Sequence, residues 1–266
     1  MDKVLIFTDI HFVEEGRLIG HLDPGARFAA GLAHALAHHP DAARIVIAGD
    51  LTHDGEIAQY RRLRQALRDC PVPVDLMLGN HDRRAQFCAV FEDAPLCEAG
   101  FVQGVADVGA HRLIMLDTLD EAPRIPHGGI LCGARLAWLD AALRDAGARP
   151  VVLFTHHPPM DVGFPAMDRI GLRDRGALLD LLARHGNVRQ IVSGHIHRTI
   201  STSAGGIPAA VLKGTCHQAP MMLGGADSHA SVDEPGAYGI LLLHKGGVIV
   251  HSEDFGLPDR RILHYA

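Results

Sequence analysis

The sequence predicts an α/β fold in its first 197 residues and a β-rich end after them. Two observations carry this: short apolar runs recur along the chain with helical stripes between them, and the pattern changes after His197. The runs are Val4 to Phe7, Ile45 to Ala48, Val74 to Leu78, Leu113 to Leu116, Val151 to Phe154, and Ile191 to Val192. Unbroken apolar runs this short fit strands buried on both faces of a sheet. The helical patterns are Phe28, Leu32 and Leu36; Ile57, Tyr60, Leu63 and Leu67; Leu136, Leu139 and Leu143; and Leu178, Leu181 and Leu182. Each reads as a core-facing stripe, and the arginines among residues 61–68 read as a solvated face. After His197, Ile207 to Leu212, Ile240 to Leu243 and Val248 to Val250 read as strands, and 214–237 as a long loop.

The 266 residues suit one large domain, or one domain with a smaller appendage. Hydrophobic content of 47% and charged content of 21% are ordinary for a globular protein. A net charge of -6 provides no global basic field, so no long nucleic-acid partner is expected. The five cysteines (Cys70, Cys88, Cys97, Cys132, Cys216) are odd in number and lack C-x-x-C spacing. They read as buried thiols in a reducing compartment rather than a disulfide framework. The run Val4 to Phe7 is too short for a signal peptide, and no stretch has the roughly 20 apolar residues of a membrane span. A cytoplasmic location is expected.

The chemistry is concentrated in five short segments: Asp9-Ile10-His11, Gly49-Asp50, Gly79-Asn80-His81-Asp82, His156-His157-Pro158-Pro159 and Gly194-His195-Ile196-His197. Each follows an apolar run, and the carboxyl ends of strands are where open α/β sheets bind ligands. In extended chain, residues i and i+2 point the same way, so Asp9 with His11, and His195 with His197, can converge. His157 would then point away, which favours His156 as the ligand of that pair. Carboxylate, amide oxygen and imidazole suit Mn, Fe, Zn or Co. Seven candidates (Asp9, His11, Asp50, Asn80, His156, His195, His197) exceed the roughly four that one metal needs. They match two metals sharing a carboxylate, a pair that can activate a bridging hydroxide and clamp phosphoryl oxygens.

This ordered set of motifs resembles the calcineurin-like metallophosphoesterase superfamily. Its Gly-Asn-His-Asp and His-His-Pro-Pro forms are similar to those of class III cyclic nucleotide phosphodiesterases and glycerophosphodiesterases. The resemblance implies a four-layer α/β/β/α sandwich with residues 1–197 as its core. Residues 198–266 would complete the sandwich and form an oligomer contact or lid. It implies one metal held by Asp9, His11, Asp50 and His197, and a second by Asp50, Asn80, His156 and His195, with Asp50 bridging. His81 would stand beside the phosphate to steady the transition state or protonate the leaving oxygen. His217, in Gly214-Thr215-Cys216-His217, matches a histidine that reaches the pocket in glycerophosphodiesterase-like members.

Other readings compete. Asp50 alone reads as a helix N-cap and Asn80 as a turn residue. Tyr60, ten residues after Asp50, lies on an apolar stripe and is not expected to be a ligand. His53 and His127 divide between surface and pocket rim. His21, His34, His38, His39, His185, His244, His251 and His264 read as surface or core residues. The function expected is phosphodiester hydrolysis of a small molecule: a cyclic nucleotide, a glycerophosphodiester, a phospholipid head group or a phosphonate monoester. A homo-oligomer is expected. The alternatives are a monoesterase or nuclease on the same fold, or a non-enzymatic scaffold.

Overall fold

In the computed structural model, which describes residues 1–224 and 230–257, the strands form two sheets. The first joins β1 (Asp2–Phe7), β2 (Arg44–Ile47) and β3 (Val74–Leu76) in parallel. On the far side of β1 it adds β10 (Ala237–His244) and β11 (Gly247–Asp254) antiparallel, giving the order β11-β10-β1-β2-β3. The second comprises β4 (Gly104–Val108), β5 (His111–Leu116), β6 (Val151–Thr155), β7 (Val188–Ser193), β8 (Ile200–Ala204) and β9 (Ile207–Val211). Its order is β4-β5-β6-β7-β9-β8, parallel from β5 to β9 with antiparallel edges.

β1 shows why the apolar runs are unbroken. Its side chains alternate between two interiors. Leu5 and Phe7 pack with Phe28 and Leu32 of α1 (Pro24–His38) and Tyr60 and Leu63 of α2 (Ile57–Ala66). Val4 and Ile6 turn to the space between the sheets, against Val152 and Phe154 of β6. Their neighbours Val151 and Leu153 face the opposite way, onto Leu139 of α4 (Gly133–Ala146) and Leu178 of α6 (Arg175–His185). Three interiors separated by two sheets make four layers, α/β/β/α.

The strands after His197 join both sheets: β9 pairs with β7, and β10 lies beside β1. Two strands were not legible. β4 alternates buried and exposed residues, and β8 is a Ser/Thr-rich edge with three exposed positions. The one-turn helices α3 (Arg84–Cys88) and α5 (Pro165–Arg169) are too short to leave a periodic stripe. The arginines of α2 are not all solvated: Arg62 bonds Asp23 and the Val13 carbonyl, and Arg64 bonds the Val90 carbonyl. All five cysteines are free, but only Cys216 is fully buried. Among the described residues no helix is long and apolar enough to cross a membrane. His264 lies outside the described residues, as do 225–229 of the long loop and 258–266 of the chain's end.

Candidate metal centre

The motif residues follow the carboxyl ends of parallel strands. Asp9 and His11 follow β1, Asp50 follows β2, and Asn80 and His81 follow β3. His156 follows β6, His195 and His197 follow β7, and His217 follows β9. The two sheets thus bring both groups to one rim.

Convergence at that rim does not come from extended chain. Asp9, His11, Asp50, His195 and His197 all have φ between 46° and 71°. They are five of the seven non-glycine residues with positive φ among those described. Left-handed backbone at a residue with a Cβ costs about 1–3 kcal/mol and clusters at functional sites, with Asp and His tolerating it better than most. The strain is held by backbone bonds between the turns: Asp9 N–H donates to the Gly49 carbonyl and His11 N–H to that of Asp50. Gly49 has a φ of 98°, and a Cβ there would overlap the His156 ring. A Cβ at Gly79 would overlap the Asp50 carboxylate.

Asp50 lies at the centre. Its Oδ2 is 3.3 Å from His156 Nε2 and 3.8 Å from His11 Nε2, and its Oδ1 accepts the His81 N–H at 2.9 Å. Asp9 Oδ1 is 3.3 Å from His197 Nε2, which is 3.2 Å from His11 Nε2. Asn80 Oδ1 is 3.2 Å from His156 Nε2. Asp9, His11, Asp50 and His197 present ligand atoms that all lie within 4.8 Å of one another. Asp50 does not cap a helix, since α2 begins after Glu56.

Backbone carbonyls orient the rings. His156 Nδ1 donates to Ala48 O, His197 Nδ1 to His217 O, and His195 Nε2 to Ile170 O. In each neutral ring the other nitrogen keeps its lone pair, the arrangement found behind metal-ligating histidines. His157 differs: Nε2 donates to the His127 carbonyl and Nδ1 accepts from Thr118 Oγ1, so both nitrogens are engaged. His81 Nδ1 donates to the His53 carbonyl at 2.7 Å.

Charge at the centre is balanced by the rings. Burial raises the Asp50 carboxyl, but His156, His81 and His11 outweigh it and hold Asp50 well below the usual range. Burial likewise raises Asp9, and His197 and His156 bring it lower. Burial lowers His156, yet Asp50 and Asp9 lift it to about 9. Burial, then the charge of His156, pushes His195 down to about 3; burial and His197 do the same to His217. Burial lowers His197 as well, and Asp9 and the His217 carbonyl outweigh it and raise it, so the carboxylates favour positive charge beside both rings. Carboxylates, an amide oxygen and rings with free lone pairs form a donor set that fits two divalent or trivalent ions.

Beneath the rim, Asp82 joins two motifs. Its carboxylate accepts from Leu51 N, Thr52 N, Thr52 Oγ1, Tyr60 OH and Gly79 N, all at 2.9–3.1 Å. Tyr60 is fully buried in this network, away from the ligand atoms. Above the rim is a cavity of about 250 Å³ lined by His53, His81, His127 and His217, with an apolar wall of Ile19, Met167, Ile170 and Ile196. The His217 ring lies 5.0 Å from that of His11, and its buried Nδ1 bonds no described atom. His53 and His127 belong to the rim, although no motif marks either in the sequence.

The calcineurin-like phosphoesterase family model matches residues 2–199, and the chain belongs to that family. The chain is 39% identical over 254 residues to a Rhodopseudomonas palustris protein named "Probable cyclic nucleotide phosphodiesterase" (95% of this chain, 92% of that one). It is 32% identical over 243 residues to the 3',5'-cyclic adenosine monophosphate phosphodiesterase CpdA of Pseudomonas aeruginosa (90% and 85%). It is also 32% identical over 222 residues to the glycerophosphodiester phosphodiesterase GpdQ of Enterobacter lignolyticus (80% and 77%). A dimetal phosphatase from Danio rerio shares the fold, with a TM-score of 0.69 at 14% identity over 95% of this chain and 96% of that one.

Proposed function

We propose that the protein is a two-metal phosphodiesterase acting on 3',5'-cyclic nucleotides. The class, a metal-dependent hydrolase of phosphodiesters, follows from the family and its curated relatives. The observation that carries the two-metal reading is that Asp50 Oδ2 approaches both His11 Nε2, at 3.8 Å, and His156 Nε2, at 3.3 Å. Asp9, His11, Asp50 and His197 would hold one ion; Asp50, Asn80, His156 and His195 the other. Mn, Fe, Zn and Co all suit these donors. When bound, the ions supply Lewis acidity at the phosphoryl oxygens and a nucleophile from water at neutral pH.

The chain's own groups do the rest. His81 is anchored through Nδ1, so its Nε2 is the nitrogen that exchanges a proton, and it protonates the departing alkoxide. His217 is neutral at pH 7 and offers hydrogen bonding without charge to a substrate oxygen. The apolar wall suits a nucleobase. Among the described lining residues the only carboxylate is Asp50, which leaves no free anion to pair with an ethanolamine or choline head group. Five free thiols and a cyclic nucleotide substrate fit a cytoplasmic location. Met221 and Leu223, 65% and 70% exposed on the long loop, suit a contact between copies of this chain.

A glycerophosphodiester is the second reading, favoured by the likeness to GpdQ. Metal-loaded protein assayed on cyclic AMP, glycerophosphoethanolamine and p-nitrophenyl phosphate separates the possibilities. The proposal expects the highest kcat/KM on cyclic AMP. Preference for glycerophosphoethanolamine moves the substrate, and preference for the monoester overturns the diesterase reading.

A further inference from the structure

The loop after β5 sends one more histidine to the rim. His127 sits in Ile125-Pro126-His127-Gly128-Gly129, outside the five motifs. Its φ of 64° places it in the same left-handed region as Asp9, His11, Asp50, His195 and His197. Its ring stacks on His81, centroids 5.1 Å apart and planes at 29°. Its carbonyl accepts the His157 Nε2–H at 3.2 Å. His157 is in turn fixed through Nδ1 by Thr118 Oγ1 at 2.8 Å. The backbone of His127 is therefore held by a buried side chain that takes no direct part in the centre.

The side chain meets Asn80. His127 Nδ1 lies 3.0 Å from Asn80 Nδ2, while Asn80 Oδ1 lies 3.2 Å from His156 Nε2. A carboxamide has two ends, and only its oxygen can ligate a metal. An acceptor at Nδ1 requires the NH2 end on the His127 side, which turns the oxygen toward His156 and Asp50. Rotated by half a turn, the amide would present two protons where a lone pair is needed.

We propose that His127 is a positioning residue that selects the ligating orientation of the Asn80 carboxamide. It does so as the Nε2–H tautomer, with Nδ1 as acceptor. The inference rests on the two-metal reading above. Outer partners of this kind are worth about 10–100-fold in metal affinity.

Manganese(II) binding to the chelator-stripped full chain, followed by calorimetry and electron paramagnetic resonance, tests it without reference to turnover. His127→Gly removes the acceptor yet accepts the positive φ. His127→Asn also tolerates that backbone, and it restores an acceptor oxygen near the place of Nδ1. The expected result is two equivalents bound by the wild type. In His127→Gly one equivalent stays as tight as in the wild type and the other weakens about 10–100-fold. His127→Asn returns the weakened equivalent to within about threefold of the wild type. The inference is overturned if His127→Gly binds both ions like the wild type, if it weakens both alike, or if His127→Asn is as weak as His127→Gly. A wild type that takes up fewer than two equivalents defeats the two-metal reading itself, and is told apart by the wild-type titration alone.

Discussion

Histidine roles in this chain are decided by which nitrogen a backbone carbonyl occupies. His156 and His157 are adjacent, yet one keeps a nitrogen for the centre and the other spends both on Thr118 and His127. For His81 the anchored Nδ1 leads to a specific kinetic signature. His81→Ala should lower kcat on cyclic AMP by about 10²–10⁴-fold, as expected for loss of a general acid. On bis(p-nitrophenyl) phosphate, whose leaving group departs without a proton, the loss should be far smaller. Equal losses on both substrates would remove the acid role. Proton linkage gives a second test. His195 and His217 sit at about 3, below the 6.5 of an unfolded histidine. On acidification the unfolded chain takes up these protons first, so stability falls as the pH drops below about 6.5. His156, lifted to about 9, works weakly the other way: the folded state already holds its proton while the unfolded chain takes it up only around 6.5, so the two depressed histidines set the sign. Thermal melts of chelated protein should show a lower Tm at pH 5 than at pH 7, and a flat profile would contradict these shifts.

At the scale of elements, strand ends and turns divide the work. Paired β1, β2 and β3 fix the positions from which Asp9, Asp50 and Asn80 depart. The Asp82 carboxylate then ties the turn after β2 to the turn after β3. Tyr60→Phe deletes one of its five donors and should cost about 1.5–3 kcal/mol in urea denaturation, the usual worth of a hydrogen bond to a charged group. A change below 0.5 kcal/mol would show that the other four bonds suffice. The strands carrying these turns were legible because two-sided burial leaves no polar residue in Leu5-Ile6-Phe7 or Ile45-Val46-Ile47. β4 and β8 were not legible, since their exposed positions resemble loop composition. The motif residues were legible by type and order. Their left-handed backbone was not, because a spacing of two reads as extended chain when neighbouring strands are unknown. His127 was left between surface and rim for another reason: it reaches the rim through a long loop, and no local pattern marks its contact with Asn80.

Across the whole molecule, the interior between the sheets keeps the two halves of the rim in register. Phe154 is fully buried there among side chains of both sheets. Phe154→Ala should destabilise the fold by about 3–5 kcal/mol and leave the metal affinity of the folded fraction unchanged. The segments after His197 share that same interior through Leu212, just after β9, and Leu241 and Leu243 of β10, so they are bound into the layers that carry the motifs. We propose that both halves together hold two ions and that hydrolysis needs both. The direct measurement is cyclic AMP turnover by the stripped protein as manganese(II) is added in fractions of an equivalent, with bound metal counted at each point. Activity should climb to a plateau at two bound ions per chain and be lost in Asp50→Ala. A plateau at one ion, or turnover that persists in Asp50→Ala, would contradict it.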